Sequence, residues 1–174
     1  QRQMCIRDSL NNGYRIYTSI DLKKQKALQS AINTNLESFK EKGTNGIYKM
    51  QGAAVCIDNK NGRVVAIVGG RSQKTSGYTL NRAYQSFRQP GSSIKPLIDY
   101  TPSLERNYTP DSTVNDHKFS GGPSNASGRY YGYVSLRFAL EQSLNTVAWQ
   151  LFEELTPKVG LRYLLNMHFS KIVK

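Results

Sequence analysis

The sequence predicts a chain of the α/β class, α+β in type, on three observations. Two apolar runs, about Gln51–Asp58 and Arg63–Gly69, flank Asn59-Lys60-Asn61-Gly62, and Asn-Gly between such runs is a strong hairpin signal. Ahead of them, Leu28, Ile32, Leu36 and Phe39 recur at helical spacing. The C-terminal part carries three more helix-patterned stretches, about Ser135–Ser143, Thr146–Glu154 and Lys158–His168.

In chain order, Tyr14–Ile20 alternates as a strand does and runs into Asp21, a good N-cap for a helix over about Leu22–Glu41. Lys23, Lys24 and Lys26 fall on the solvated side of that helix, and Gly43–Gly46 breaks it. The hairpin follows, with Cys56 in an alternating apolar run as a small core residue. Gly70–Gly91 is polar and turn-rich, and a helix is expected from Ser92 towards Arg106. Asn107–Tyr133 is rich in Gly, Ser, Asn and Tyr, and a structureless connection of that length is more often functional than idle. Gln1–Ser9, which includes Cys5, reads as neither helix nor strand and resembles a translated sequencing-adapter remnant. Residues 1–12 are therefore set aside as a non-native or linker segment, and residues 13–174 are read as one unit.

Composition narrows the function classes without choosing among them. The 174 residues are 38% hydrophobic and 21% charged, enough to bury a core. The longest apolar runs, Ala53–Ile57 and Val64–Val68, fall far short of the roughly 18 residues a membrane helix needs. Lys and Arg number 24 against 12 Asp and Glu, a net +12 that suits an anionic partner. No zinc-finger spacing, recognition-helix pattern or aromatic RNA-binding motif accompanies the charge, so no nucleic-acid partner is expected. Two cysteines do not make a disulfide framework. His117 and His168 read as surface or helix-end residues, and no metal or cofactor is expected.

The chemistry concentrates at Ser92-Ser93-Ile94-Lys95. Side chains three residues apart on a helix are neighbours, which brings a lysine amine within reach of a serine hydroxyl. A free serine is a weak nucleophile and needs such a base. The amine must be neutral to act, and burial near a helix N-terminus lowers its pKa. Ser-x-x-Lys alone arises by chance about once in a chain this long. Pro90-Gly91 raises its weight by forcing a turn just before Ser92, whereas Pro96 disfavours helical geometry at Lys95. Ser143-Leu144-Asn145 is the second candidate, and its bland reading is helix-end capping. Ser-x-x-Lys followed by Ser-x-Asn and Lys-Thr-Gly is the motif set of penicillin-binding proteins and serine β-lactamases, and the first two occur here in that order.

The wider wording is specific. Arg88-Gln89-Pro90-Gly91-Ser92-Ser93-Ile94-Lys95-Pro96 resembles the active-serine box of high-molecular-weight penicillin-binding proteins. Val134-Ser135-Leu136-Arg137-Phe138-Ala139-Leu140, continuing to Gln142-Ser143-Leu144-Asn145-Thr146, resembles their second motif and its lead-in helix. Tyr17-Thr18-Ser19-Ile20-Asp21, the Ala53–Gly70 hairpin and Asn81-Arg82-Ala83 resemble the start of the same transpeptidase domain. The likeness runs from Gly13 to Lys174 and is strongest to the bifunctional class A branch. Lys-Thr-Gly is absent: Lys74-Thr75 is followed by Ser76 and precedes the serine box. Residues 13–174 are accordingly expected to be the N-terminal part of the domain, lacking the strand with the third motif.

The resemblance implies an antiparallel sheet flanked by helices, with a helical subdomain carrying the second motif and the site between them. It implies acyl transfer with peptidoglycan stem peptides as substrates and β-lactams as trapping ligands. Ser92 would be the nucleophile and Lys95 its base. Ser143 would relay a proton to the leaving amine, and Asn145 would hold Lys95 and the substrate amide. The parent protein is expected to be anchored on the outer face of a bacterial membrane, associated with cell-wall synthesis proteins and carrying a glycosyltransferase upstream. A β-lactam-hydrolysing or β-lactam-sensing relative would share both motifs but would add a deacylating base, which none of Glu141, Glu153 or Glu154 can be assigned to be. A non-enzymatic basic module for an anionic polymer explains the charge and not the wording. Asn107-Tyr108-Thr109 and Asn125-Ala126-Ser127 match glycosylation sequons and read as chance.

Overall fold

The computed structural model describes residues 13–72, 79–169 and 171–172. Cys5 and Lys74-Thr75-Ser76 lie outside them. The chain divides into two compact units, Gln1–Arg88 and Gln89–Lys174.

In the first unit, helix α1 (Leu22–Asn35) starts at Asp21, whose carboxylate accepts the N–H groups of Lys23 and Lys24 at 2.8 and 3.2 Å. It stops well short of Glu41. Asn35 turns its side-chain amide back onto the Ala31 carbonyl at 2.8 Å, the local competition that makes Asn a poor helix interior residue. Leu36 closes the helix and Phe39 stands exposed. The helix packs on an antiparallel pair, β1 (Ala54–Ile57) and β2 (Val64–Val68), with Val55 opposite Ile67 and Cys56 opposite Ala66. Val65, Ala66 and Val68 are the buried residues of β2, whereas Cys56 is only half-buried. The hairpin connection is longer than a two-residue turn: Asp58 N–H donates to the Arg63 carbonyl, and only Gly62 takes a positive φ, +70°. The register slips beside it, between Cys56 and Ile57.

Tyr14–Ile20 forms no strand, contrary to its alternation. Tyr14, Ile16 and Tyr17 are all exposed, so the pattern has no partner face, and the segment is tied down towards its end, where the Ser19 hydroxyl donates to the Val64 carbonyl and Asp21 N–H to the Val65 carbonyl. A short helix, α2 (Arg82–Gln85), capped by Asn81, packs against β2.

The second unit opens with one helical rod of three kinds of turn. A 3₁₀ turn over Gly91–Ile94 passes into a π-helical stretch, Pro96–Tyr100, and then into α3 (Thr101–Leu104). Pro96 has no N–H to continue the ladder. The bonding steps over it, with Lys95 N–H donating to the Ser92 carbonyl and Thr101 N–H reaching back five residues to the Pro96 carbonyl. Lys95 keeps helical dihedrals despite the proline after it, φ −52° and ψ −46°.

Asn107–Tyr133 is not structureless. It holds β3 (Thr113–Asp116), which pairs antiparallel with β4 (Gly132–Ser135) in the register Thr113–Ser135 to Asp116–Gly132. Ser135 then caps α4 (Leu136–Glu141) through Phe138 N–H, and α5 (Asn145–Leu155) and α6 (Pro157–Asn166) follow. The core of this unit is Tyr100, Leu136, Ala139, Leu144, Val147, Ala148 and Leu151. His117 is exposed, and His168 stands just past the end of α6.

Candidate active site

All four motif residues fall in the second unit. Lys95 sits where the 3₁₀ turn meets the π-helical stretch, 8% exposed. Its Nζ donates to Asn145 Oδ1 at 2.6 Å, to the Ser143 carbonyl at 2.8 Å and to Ser143 Oγ at 3.2 Å. An ammonium has three protons, and each has an acceptor here. Ser143, between α4 and α5, has φ +50°, a conformation that costs a non-glycine residue about 1–3 kcal/mol and that clusters at working sites. It turns both oxygens of the residue towards one amine.

Ser92 is exposed, one turn before Lys95. Among the described residues no hydrogen bond joins its Oγ to Lys95; the two share a cleft of about 370 Å³ that Asn145 also lines. Ser93 is differently placed, because its hydroxyl donates to the Pro90 carbonyl at 2.6 Å and closes the turn. Of the two serines, only Ser92 faces the cleft without a structural bond of its own.

Burial holds the Lys95 amine below the ordinary lysine range, and the charge of Asp99 partly opposes that shift. Asp99 is buried four residues on, lining the same cleft. Burial pushes its carboxyl up to about 6, with the Lys95 charge pulling the other way. The opposite wall is one face of α5: Asn145, Ala148, Trp149 and Phe152 stand at i, i+3, i+4 and i+7. The arrangement joins an exposed serine, a buried amine with depressed pKa, and a second hydroxyl within hydrogen-bond distance of that amine. Those are the parts of nucleophilic catalysis by a serine with a lysine base. Among the described residues, no cluster of His, Cys, Asp and Glu could hold a metal ion.

The family described as the penicillin binding protein transpeptidase domain matches residues 52–173. The chain belongs to that transpeptidase-domain family. Among curated penicillin-binding proteins, it is 34% identical over 168 residues to penicillin-binding protein 4 of Bacillus subtilis, covering 94% of this chain and 25% of that protein. It is 35% identical over 170 residues to penicillin-binding protein 1A of Clostridium botulinum, covering 88% of this chain and 20% of the relative. The chain thus spans a quarter or less of these relatives' length. Among solved structures, the PonA1 protein of Mycobacterium tuberculosis, in complex with penicillin V, superposes with a TM-score of 0.73 at 25% identity, over 97% of this chain and 43% of that one. Penicillin-binding protein 1A of Haemophilus influenzae gives 0.61 at 32% identity, over 74% and 21%. The mixed helix and antiparallel-strand architecture is the one these penicillin-binding proteins share.

Motif reading missed three residues in or behind this candidate site. Asp99 had a signal: it is the sole acid in Pro96–Tyr100 and lies at i+4 from Lys95. Trp149 is four residues after Asn145, visible once α5 is given its phase. Asn125 carried no signal beyond a sequon read as chance; it is 5% exposed, with its amide bonded to Asp116 and the Arg129 carbonyl.

Proposed function

We propose that this transpeptidase domain cross-links peptidoglycan by acyl transfer through Ser92. The observation that carries the reading is the trio of hydrogen bonds by which Lys95 Nζ gathers Ser143 and Asn145 beside the cleft that Ser92 lines. In the reaction, the neutral Lys95 amine takes the Ser92 hydroxyl proton as Oγ attacks the penultimate D-Ala carbonyl of a stem peptide. The proton passes by way of Ser143 to the departing nitrogen, D-alanine leaves, and an ester to Ser92 remains. An amine of a neighbouring stem attacks that ester, forms the cross-link and returns the proton to Ser92. Asn145 keeps Lys95 in place through Oδ1 and offers the peptide the amide proton that Ser124 does not take. The Ser92 to Lys95 hydrogen bond would tighten on substrate binding, as catalytic hydrogen bonds often do.

A β-lactam would acylate the same oxygen, and because its amide nitrogen stays tethered after ring opening the ester would persist. Timed labelling with a fluorescent penicillin beside nitrocefin hydrolysis tests this. A stable, stoichiometric label with negligible turnover is expected; rapid nitrocefin turnover would identify a hydrolase instead. For the whole protein we propose a membrane anchor, an outer-face location among cell-wall synthesis proteins and a peptidoglycan glycosyltransferase, as the length of the relatives allows. Among the described residues no helix is long and apolar enough to cross a membrane. Membrane fractionation of intact cells, with the label as tracer, checks the location.

A further inference from the structure

Helix α5 starts without a cap of its own. Leu144 occupies the N-cap position and offers no side-chain acceptor. The first N–H groups of a helix still require one. It comes from twenty residues earlier: Asn125 Oδ1 accepts the Asn145 N–H at 2.8 Å and the Thr146 N–H at 3.4 Å. The preceding carbonyl, that of Ser124, accepts Asn145 Nδ2 at 2.8 Å. That second bond sets the chemistry. With its NH₂ committed to Ser124, the Asn145 amide presents Oδ1, not a donor, to Lys95.

Asn125 is itself fixed from behind. Its Nδ2 donates to Asp116 Oδ1 at 2.8 Å and to the Arg129 carbonyl at 2.9 Å. Asp116 is fully buried at the end of β3; Oδ2 accepts the Tyr131 N–H at 2.9 Å, and Oδ1 also accepts the Thr146 hydroxyl. Both carboxylate oxygens and the Asn125 amide are thus bonded, as a buried polar network must be if it is to be tolerated. An apolar filling could occupy the same volume, but it could not fix where α5 begins or which way Asn145 points.

We propose that Asp116 and Asn125 are positioning residues for acylation: through the start of α5 they hold the Asn145 amide, and through it the Lys95 amine. This rests on the reading of Ser92 as the acylated residue. The loop between β3 and β4 is, on this account, the support of the active site.

The test is the acylation of the full-length protein by a fluorescent penicillin, followed across pH in Asn125→Ala, Asn145→Ala and the double variant. Asn125→Ala is expected to slow acylation roughly 10- to 100-fold, the scale of a misplaced catalytic group. It should also move the acidic limb of the rate profile to lower pH, because the Lys95 ammonium loses an oriented acceptor. In the Asn145→Ala background the same change should cost less than about 2-fold, since residues acting in series are not additive. Leu155→Ala, at the far end of α5, should lower the melting temperature and leave the profile where it was. If Asn125→Ala does not fold, the isosteric Thr146→Val, which removes one donor from Asp116, should shift the limb the same way. A wild-type profile in these variants, or full additivity in the double variant, would overturn the proposal. Absence of a Ser92 adduct in the unmodified protein would instead overturn the functional reading beneath it.

Discussion

At the scale of single residues, Lys95 is held between opposing influences. Burial lowers the pKa of its amine and the Asp99 charge raises it, with a net downward shift. Replacing Lys95 by Met should therefore cost about 10²–10⁴-fold in acylation rate, the usual worth of a positioned base, with less effect on the noncovalent affinity for penicillin. Asp99 supplies a test with a definite sign. Its carboxyl is raised to about 6 from the ordinary 3.8, so ionising it destabilises the folded state. The stability it contributes is full below about pH 4 and is lost as pH rises through 6. Asp99→Asn should thus melt above the native protein at pH 7–8, with the gap closing towards pH 4. The same variant removes the charge that raises the Lys95 pKa, so the acidic limb of acylation should move to lower pH. An unchanged limb in stopped-flow labelling would remove Asp99 from this account. Of these residues, Ser92, Lys95, Ser143 and Asn145 could be read from short spacings. Asp116, Asn125 and Thr146 could not, because the bonds that join them to one another and to the start of α5 span 9 to 30 positions and leave no local pattern.

Among the elements, the rod from Gly91 to Leu104 positions Ser92, Lys95 and Asp99 by changing its winding at Pro96. Its presence was legible, as a helix expected from Ser92 towards Arg106 after the Pro90-Gly91 turn, but its winding was not. Proline removes one N–H in any helix, and which carbonyl takes up the slack depends on what packs alongside. Here those are α5 and α6, and Gly160 of α6 lies close against the rod: a Cβ there would stand 2.9 Å from the Ile98 carbonyl and 2.8 Å from the Phe152 ring. Gly160→Ala gains roughly 1 kcal/mol in helix propensity. It meets an overpacking cost of about 1–3 kcal/mol, and the clash with backbone should decide the sign. Chemical denaturation should show a net loss of about 1 kcal/mol, and penicillin labelling should slow as the rod shifts. A variant at least as stable as the parent would mean that α6 yields easily. β3 and β4 were illegible for a different reason: Thr-Val-Asn-Asp and Gly-Tyr-Val-Ser are four residues each and mostly polar. The last six residues of the expected first helix, 36–41, were illusory, since Leu36 and Phe39 continue the spacing after Asn35 has ended the helix.

At the scale of the molecule, each sheet has two strands among the described residues, and β1 leaves Val55 and Ile57 at 42% and 53% exposure. Open edges and bare apolar strand faces promote association, and a hairpin is marginal until it is covered. Residues 1–174 expressed alone should therefore aggregate or melt without cooperativity, and should label with penicillin far more slowly than the full-length protein. A sharp, reversible calorimetric transition with parent-like labelling would contradict that. The family was legible across almost the whole chain because motif wording survives where periodicity is weak; the net charge of +12, by contrast, selected no partner. What remains central is the serine. Peptide mapping of the penicillin-treated full-length protein by mass spectrometry tests it most directly: the adduct should fall on Ser92, whereas an adduct on Ser93 or Ser143, or none, would contradict the assignment.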